Sequence, residues 1–97
     1  MIVVNEGILE WFGRKHNQAK KPLEAWLKIA RQANWHHLMD VRRNYPATDG
    51  NVKSEGYTVF NVKGNSYRLL TKIDYKRQIV EVTNVFTHSE YDQWDRL

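Results

Sequence analysis

Apolar and polar positions change period once along this chain, near residue 57. Before that point the spacing is helical. Leu23, Trp26, Leu27 and Ala30 recur at i, i+3, i+4 and i+7, the pattern of one buried helical face. Glu24, Lys28, Arg31 and Gln32 supply the opposite, solvated side. Pro22 suits the first turn of that helix. Upstream, Ile8, Leu9 and Phe12 mark a shorter helix, with Asn5 placed to cap it, and "MIVV" reads as a strand. "NWHHLMDVRRNYP" has the composition for another helical turn, which Pro46 ends. "ATDGNVKSEG" reads as loop.

From Tyr57 the period is two. "YTVFNV" and "SYRLLTKIDY" flank "KGNS", and Gly64-Asn65 is a favoured two-residue hairpin connection. That register sets Lys63 opposite Ser66 and Asn61 opposite Arg68. "QIVEVTNVFT" follows Lys76-Arg77 as a third strand. If Lys76-Arg77 is also a two-residue loop, Phe60, Val62, Tyr67, Leu69, Ile73, Tyr75, Val80, Val82 and Phe86 share a core face. Asn61, Arg68, Lys72, Glu81 and Thr83 then share the other, with Leu70 and Val85 among them. A one-residue slip would exchange the faces of the last strand. The predicted order is strand, two helices, antiparallel meander and short C-terminal helix, an α+β fold in one domain over residues 1–97.

Composition narrows the class. A chain of 97 residues with 41% apolar residues, four Trp and five Tyr is expected to fold rather than stay disordered. With no cysteine there is no disulfide scaffold and no thiolate-held metal, which points weakly to the cytoplasm. No apolar run approaches the roughly 20 residues of a membrane span, and "MIVVNEGILEW" has no basic leader or cleavage site. A net charge of +4 favours anionic partners, nucleic acid among them.

The candidate chemistry gathers towards the C-terminus. In "VFTHSEYDQWD", Thr87 and Glu90 match a capping box, and Phe86 and Tyr91 fall at the positions of a hydrophobic staple. Helix initiation therefore accounts for four residues and leaves His88 without a local role. His88 would stand at the first helical position, where free N–H groups attract anions; the competing reading is a solvent-exposed turn histidine. Arg68, beside Asn61 and Lys72, offers a guanidinium fork for an anion, against the plain reading of a charged residue on a wet sheet face. Lys72 can equally pair across strands with Glu81. His36, His37 and Asp40 offer too few ligands on one side of a helix for a metal site. No Gly-rich phosphate loop, nucleophile elbow or Cys/His pair is present. An enzyme built from this chain would use a nucleophile belonging to its substrate or to water.

"VFNVKGNSYRLLTKIDY" followed by "VTNVFTHSEYDQW" resembles the HigB-type toxins of bacterial toxin–antitoxin systems, within the RelE/ParE superfamily. "AWLKIARQANW" and "DVRRNYPATD" resemble the same family upstream. The resemblance implies a RelE-like α+β fold, an endoribonuclease that cuts mRNA on the ribosome, no cofactor, and neutralisation by a helix-turn-helix, HigA-like antitoxin. The ribose 2′-hydroxyl would attack the adjacent phosphate, with no need for a metal. The same resemblance implies that Arg68 stabilises the phosphate, that His88 and Tyr91 transfer protons or orient the ribose, and that Lys72 contacts phosphate or acts as a base. Asn61, Lys63 and Asp92 would be substrate contacts, with Asp92 holding either His88 or a base edge. Relatives of the ParE type share the fold but act on gyrase by protein contacts, and a plain nucleic-acid-binding module, with Trp and Tyr stacking on bases, is a further alternative.

Overall fold

A strand of alternating side chains can hide only one face at a time, so a single extra residue decides what lies behind it. That happens here in the last strand. The computed structural model describes residues 1–97. Its elements are β1 (Ile2–Val4), α1 (Gly7–Lys15), α2 (Asn17–Gln32), α3 (Leu38–Asn44), β2 (Asp49–Val52), β3 (Tyr57–Val62), β4 (Tyr67–Asp74), β5 (Ile79–Thr87) and α4 (His88–Asp95). The five strands form one sheet in the order β1-β5-β4-β3-β2. β1 runs parallel to β5, and the remaining pairs are antiparallel. The α+β order read from the sequence is present, enlarged by β2 and α3.

The helical stripe does as its spacing dictates. Leu23, Trp26 and Ala30 of α2 are buried with Leu9 and Phe12 of α1 against Phe60, Val62, Leu69, Val80 and Val82. Trp26 meets Phe60 edge-on at 5.3 Å, a favoured aromatic geometry. The α-amino group of Met1 donates to the Ala33 carbonyl at 2.7 Å, tying the sheet edge to the end of α2.

Two boundary expectations need correcting. Asn5 is not the cap of α1: it adopts φ +64°, and Glu6 precedes the helix without a side-chain cap bond. Asparagine tolerates that left-handed conformation, so it turns the chain instead. Pro22 lies inside α2 rather than in its first turn. The helix begins five residues earlier because Ala19 is itself fully buried in the core, and the packing compensates for the hydrogen bond that proline cannot donate.

The segment read as loop before Tyr57 contains β2, paired with β3 through Asp49 and Val59. Backbone pairing at a sheet edge makes little demand on side chains, so "DGNV" carries no alternating signature. α3 ends before Pro46, as read.

The meander is where sequence and structure part most usefully. Asn61 stands opposite Arg68, and Asp74 opposite Ile79, so both hairpins have the expected loops. Then Leu70 pairs with Asn84 while Thr71 pairs with Val82. Thr83 is the extra residue of a bulge. Its hydroxyl donates to the Leu70 carbonyl at 3.1 Å, and the Asn84 side chain accepts from Val85 N at 2.9 Å. Beyond the bulge the faces exchange. Val85 is buried in the core, whereas Phe86, expected there, sits opposite Arg68 and packs against Trp94. That second face receives α4.

Candidate active site

The β3–β4 turn and the start of α4 are stitched together. Gly64 takes φ +60°, which glycine adopts without strain at the first central position of such a turn. The Ser66 carbonyl then accepts from His88 N at 3.0 Å. The capping box forms in full: Thr87 Oγ1 accepts from Glu90 N at 3.2 Å, and Glu90 Oε1 accepts from Thr87 N at 2.8 Å. The anticipated staple is rearranged. Phe86, Tyr91 and Tyr57 each pack against Trp94, at ring separations of 6.0, 5.7 and 5.3 Å.

These constraints bring Arg68 and His88 into contact from residues 20 apart in sequence. Arg68 is only 9% exposed. Its Nη1 donates to the carbonyls of Asn65 at 2.9 Å and Tyr67 at 3.3 Å. Its Nη2 lies 3.2 Å from His88 Nδ1. A guanidinium has no acceptor, so Nδ1 must offer its lone pair and the ring hydrogen must sit on Nε2. His88 Nε2 is in turn 3.2 Å from the Asp92 carboxylate, one helical turn on. The result is a row of donor, imidazole and carboxylate, with Arg68 Nε carrying no protein partner.

Tyr91 closes the site from above, its ring centroid 5.6 Å from the Arg68 guanidinium carbon, within cation–π range. Burial, reinforced by Asp95 and Asp49 and partly opposed by Arg68, raises the phenol above its ordinary value of 10.0. Its hydroxyl is therefore protonated throughout the neutral range and can act only as a proton donor there.

The other predicted residues fall at varying distances. Asn61 is beside Arg68 in the sheet, and its amide donates to Asn65 Oδ1 at 3.4 Å. Lys72 is on the same face but four residues along β4 from Arg68, about 13 Å at strand spacing. It stands opposite Glu81 in register, yet its ammonium lies over the Tyr57 ring at 4.7 Å. Lys63 leans away to Gln18 at the start of α2. In the histidine-rich segment, the Asp40 carboxylate accepts from His36 N at 2.9 Å. That bond, with His37 and Arg43 nearby, holds it below its ordinary value of 3.8 despite some desolvation.

Sequence reasoning did not single out Trp94, Tyr57 or Lys53, whose ammonium covers Trp94 at 4.6 Å. Tyr57 pairs with Lys72 in the register read from the sequence; what the sequence hid was that the bulge turns Phe86 to that face, where Trp94 of α4 packs on it.

The fold and this row of guanidinium, imidazole and carboxylate belong to a small α+β domain. The family of HigB toxins, described as the RelE-like toxic component of a toxin–antitoxin system, matches residues 19–94, and the chain belongs to that family. It is thus a toxin whose system includes an antitoxin partner. No curated protein matches it. No helix is long and apolar enough to cross a membrane.

Proposed function

We propose that this toxin is an endoribonuclease that cleaves mRNA on the ribosome through attack of the ribose 2′-hydroxyl on the adjacent phosphodiester. The observation that carries the reading is the Arg68–His88–Asp92 row, because RNA transesterification asks for three things and no protein nucleophile: a charge stabiliser, a proton acceptor and a proton donor.

The unpartnered Nε–H of Arg68, with the Nη2–H beside it, is a fork for a phosphate, and charge on the phosphorane strengthens those bonds. Once Nη2 turns to phosphate, His88 Nδ1 is free to take the 2′-hydroxyl proton. Asp92 holds the Nε2–H and stabilises the imidazolium that forms, an orienting role for a carboxylate. O2′ bonds to phosphorus, the P–O5′ bond breaks, and Tyr91 gives its proton to the departing O5′. Asn61 orients the nucleotide, and Lys72 meets phosphates farther along the strand, with Lys63 at its periphery. The partner expected is a helix-turn-helix antitoxin of the HigA type.

The test is to add purified protein to translating ribosomes and map mRNA ends. New ends carrying a 2′,3′-cyclic phosphate, absent with His88→Ala, are the expected result. Intact mRNA with inhibited gyrase would overturn the reading.

A further inference from the structure

The turn between β2 and β3 carries two side chains where glycine or asparagine would be at ease. Lys53 takes φ +59° and Ser54 φ +56°, in a left-handed region that neither residue enters without cost. The turn is nevertheless firmly built. Ser54 N donates to the Asn51 carbonyl at 3.0 Å and Glu55 N to the Val52 carbonyl at 3.3 Å, while Gly56 N donates to Asn51 Oδ1 at 3.0 Å. Backbone strain that the surroundings hold in place points to a side chain needed there. At the tip of a hairpin a lysine ordinarily lies in water, yet Lys53 is half-buried. Its ammonium covers the Trp94 ring at 4.6 Å and donates to the oxygen of Leu97 at 3.1 Å, 44 residues away in the sequence.

What Lys53 reaches is the far end of the helix that carries His88, Tyr91 and Asp92. No residue of α4 is fully buried, so core burial does not fix its position. Its first turn is fastened by the capping box and by His88 N on the Ser66 carbonyl. Its last turn rests on Trp94, which meets Tyr57 and Phe86 of the sheet, and Lys53 adds a cation to that same ring. The contact is passed on. Trp94 packs on Tyr91 at 5.7 Å, and Tyr91 lies 5.6 Å from the guanidinium carbon of Arg68. Indole is the best aromatic partner for a cation, and a misplacement of about 1 Å at reacting groups can cost about a hundredfold in rate. We infer that Lys53 is a positioning residue: through Trp94 it pins the end of α4 and holds Tyr91 over Arg68. It touches no substrate in this role. The inference rests on the nuclease reading for its kinetic consequence, but the pinning of α4 can be measured without cleavage.

The first measurement is amide hydrogen exchange on the full chain. Lys53→Met keeps an apolar stem and removes the charge, so the amides of residues 91–95 should exchange about tenfold faster while those of β3 and β4 stay protected. Lys53→Arg should restore the protection, since a guanidinium also stacks on an aromatic face. Unchanged exchange in Lys53→Met overturns the inference. The second is cleavage on translating ribosomes. Lys53→Met should lower kcat by about tenfold or more with KM unchanged, and Lys53→Arg should recover it. Lys53→Gly separates position from stability. Glycine takes the left-handed turn without strain, so this variant should melt no lower than Lys53→Met and yet cut as slowly. A parental rate in Lys53→Gly overturns the positioning role. So does a raised KM at unchanged kcat, which would make Lys53 a direct contact with the RNA. Faster exchange in α4 of a Lys53→Met protein whose parent cuts nothing supports the pinning while rejecting the nuclease.

Discussion

Arg68 Nη2 and His88 Nδ1 are 3.2 Å apart, so the buried guanidinium donates to Nδ1 and turns the Nε2–H of the ring towards Asp92.

Replacing either member should abolish toxicity through chemistry and not through unfolding. His88→Ala is expected to slow cleavage by about 10²–10⁴-fold, and Arg68→Lys by about 10²–10³-fold, since a lysine keeps the charge but loses the fork. Asp92→Asn should lower the rate too, by presenting an amide to Nε2. Because the three act as a row, the double variant His88→Ala/Asp92→Asn should be no worse than His88→Ala. Single-turnover rates with circular dichroism on each variant check this. Additive losses, or an unfolded Arg68→Lys protein, would show separate structural roles.

Thr87→Ala removes the cap while leaving every candidate side chain in place. Loss of the bond from Glu90 N to Thr87 Oγ1 should cost about 1 kcal/mol, read as a lower urea midpoint with an unchanged slope. The same helix start positions His88, so a partial loss of rate should accompany it.

The bulge at Thr83 makes a sharper demand. Val85 is 3% exposed in the core, and Phe86 is on the face under α4. Val85→Asp buries an unpaired carboxylate and should prevent folding, given a total stability of only about 5–15 kcal/mol. Phe86→Asp should leave a folded protein with a loosened C-terminal helix. Unbroken alternation would produce the reverse pair of outcomes, and thermal melts of the two variants decide between them.

Alkaline stability carries the signature of half-buried phenols. Burial raises Tyr45, Tyr75 and Tyr91 above the ordinary value of 10.0. The unfolded chain therefore loses these protons first. Above about pH 10 it binds fewer protons than the native state, and the free energy of unfolding falls with rising pH. A denaturation series from pH 8 to pH 11 should show that decline, and Tyr45→Phe should make it shallower. A flat profile would count against buried ionisation.

Much of this could be seen in the chain before any coordinates. The i, i+3, i+4, i+7 stripe around Trp26 determined a buried helix, because burial of that face is the main gain available to it. The Gly64-Asn65 connection determined the register that sets Asn61 against Arg68, because a two-residue turn leaves no freedom in pairing. Thr87 and Glu90 determined where α4 begins, since their bonds are local. β2 was hidden because edge pairing is a backbone affair. The extent of α2 through Pro22 was hidden because core packing outweighed a local breaker.

The site itself was the work of tertiary structure. Arg68, His88, Tyr91 and Asp92 could be named from the chain, yet alternation alone sent Phe86 to the core. The Thr83 bulge reversed that face, and its polar side chains satisfied the disrupted ladder. With Phe86 and Trp94 meeting under α4, the helix settled on the Arg68 side of the sheet. Only then did the imidazole reach the guanidinium, because a contact between distant residues depends on the accumulated geometry of every element between them.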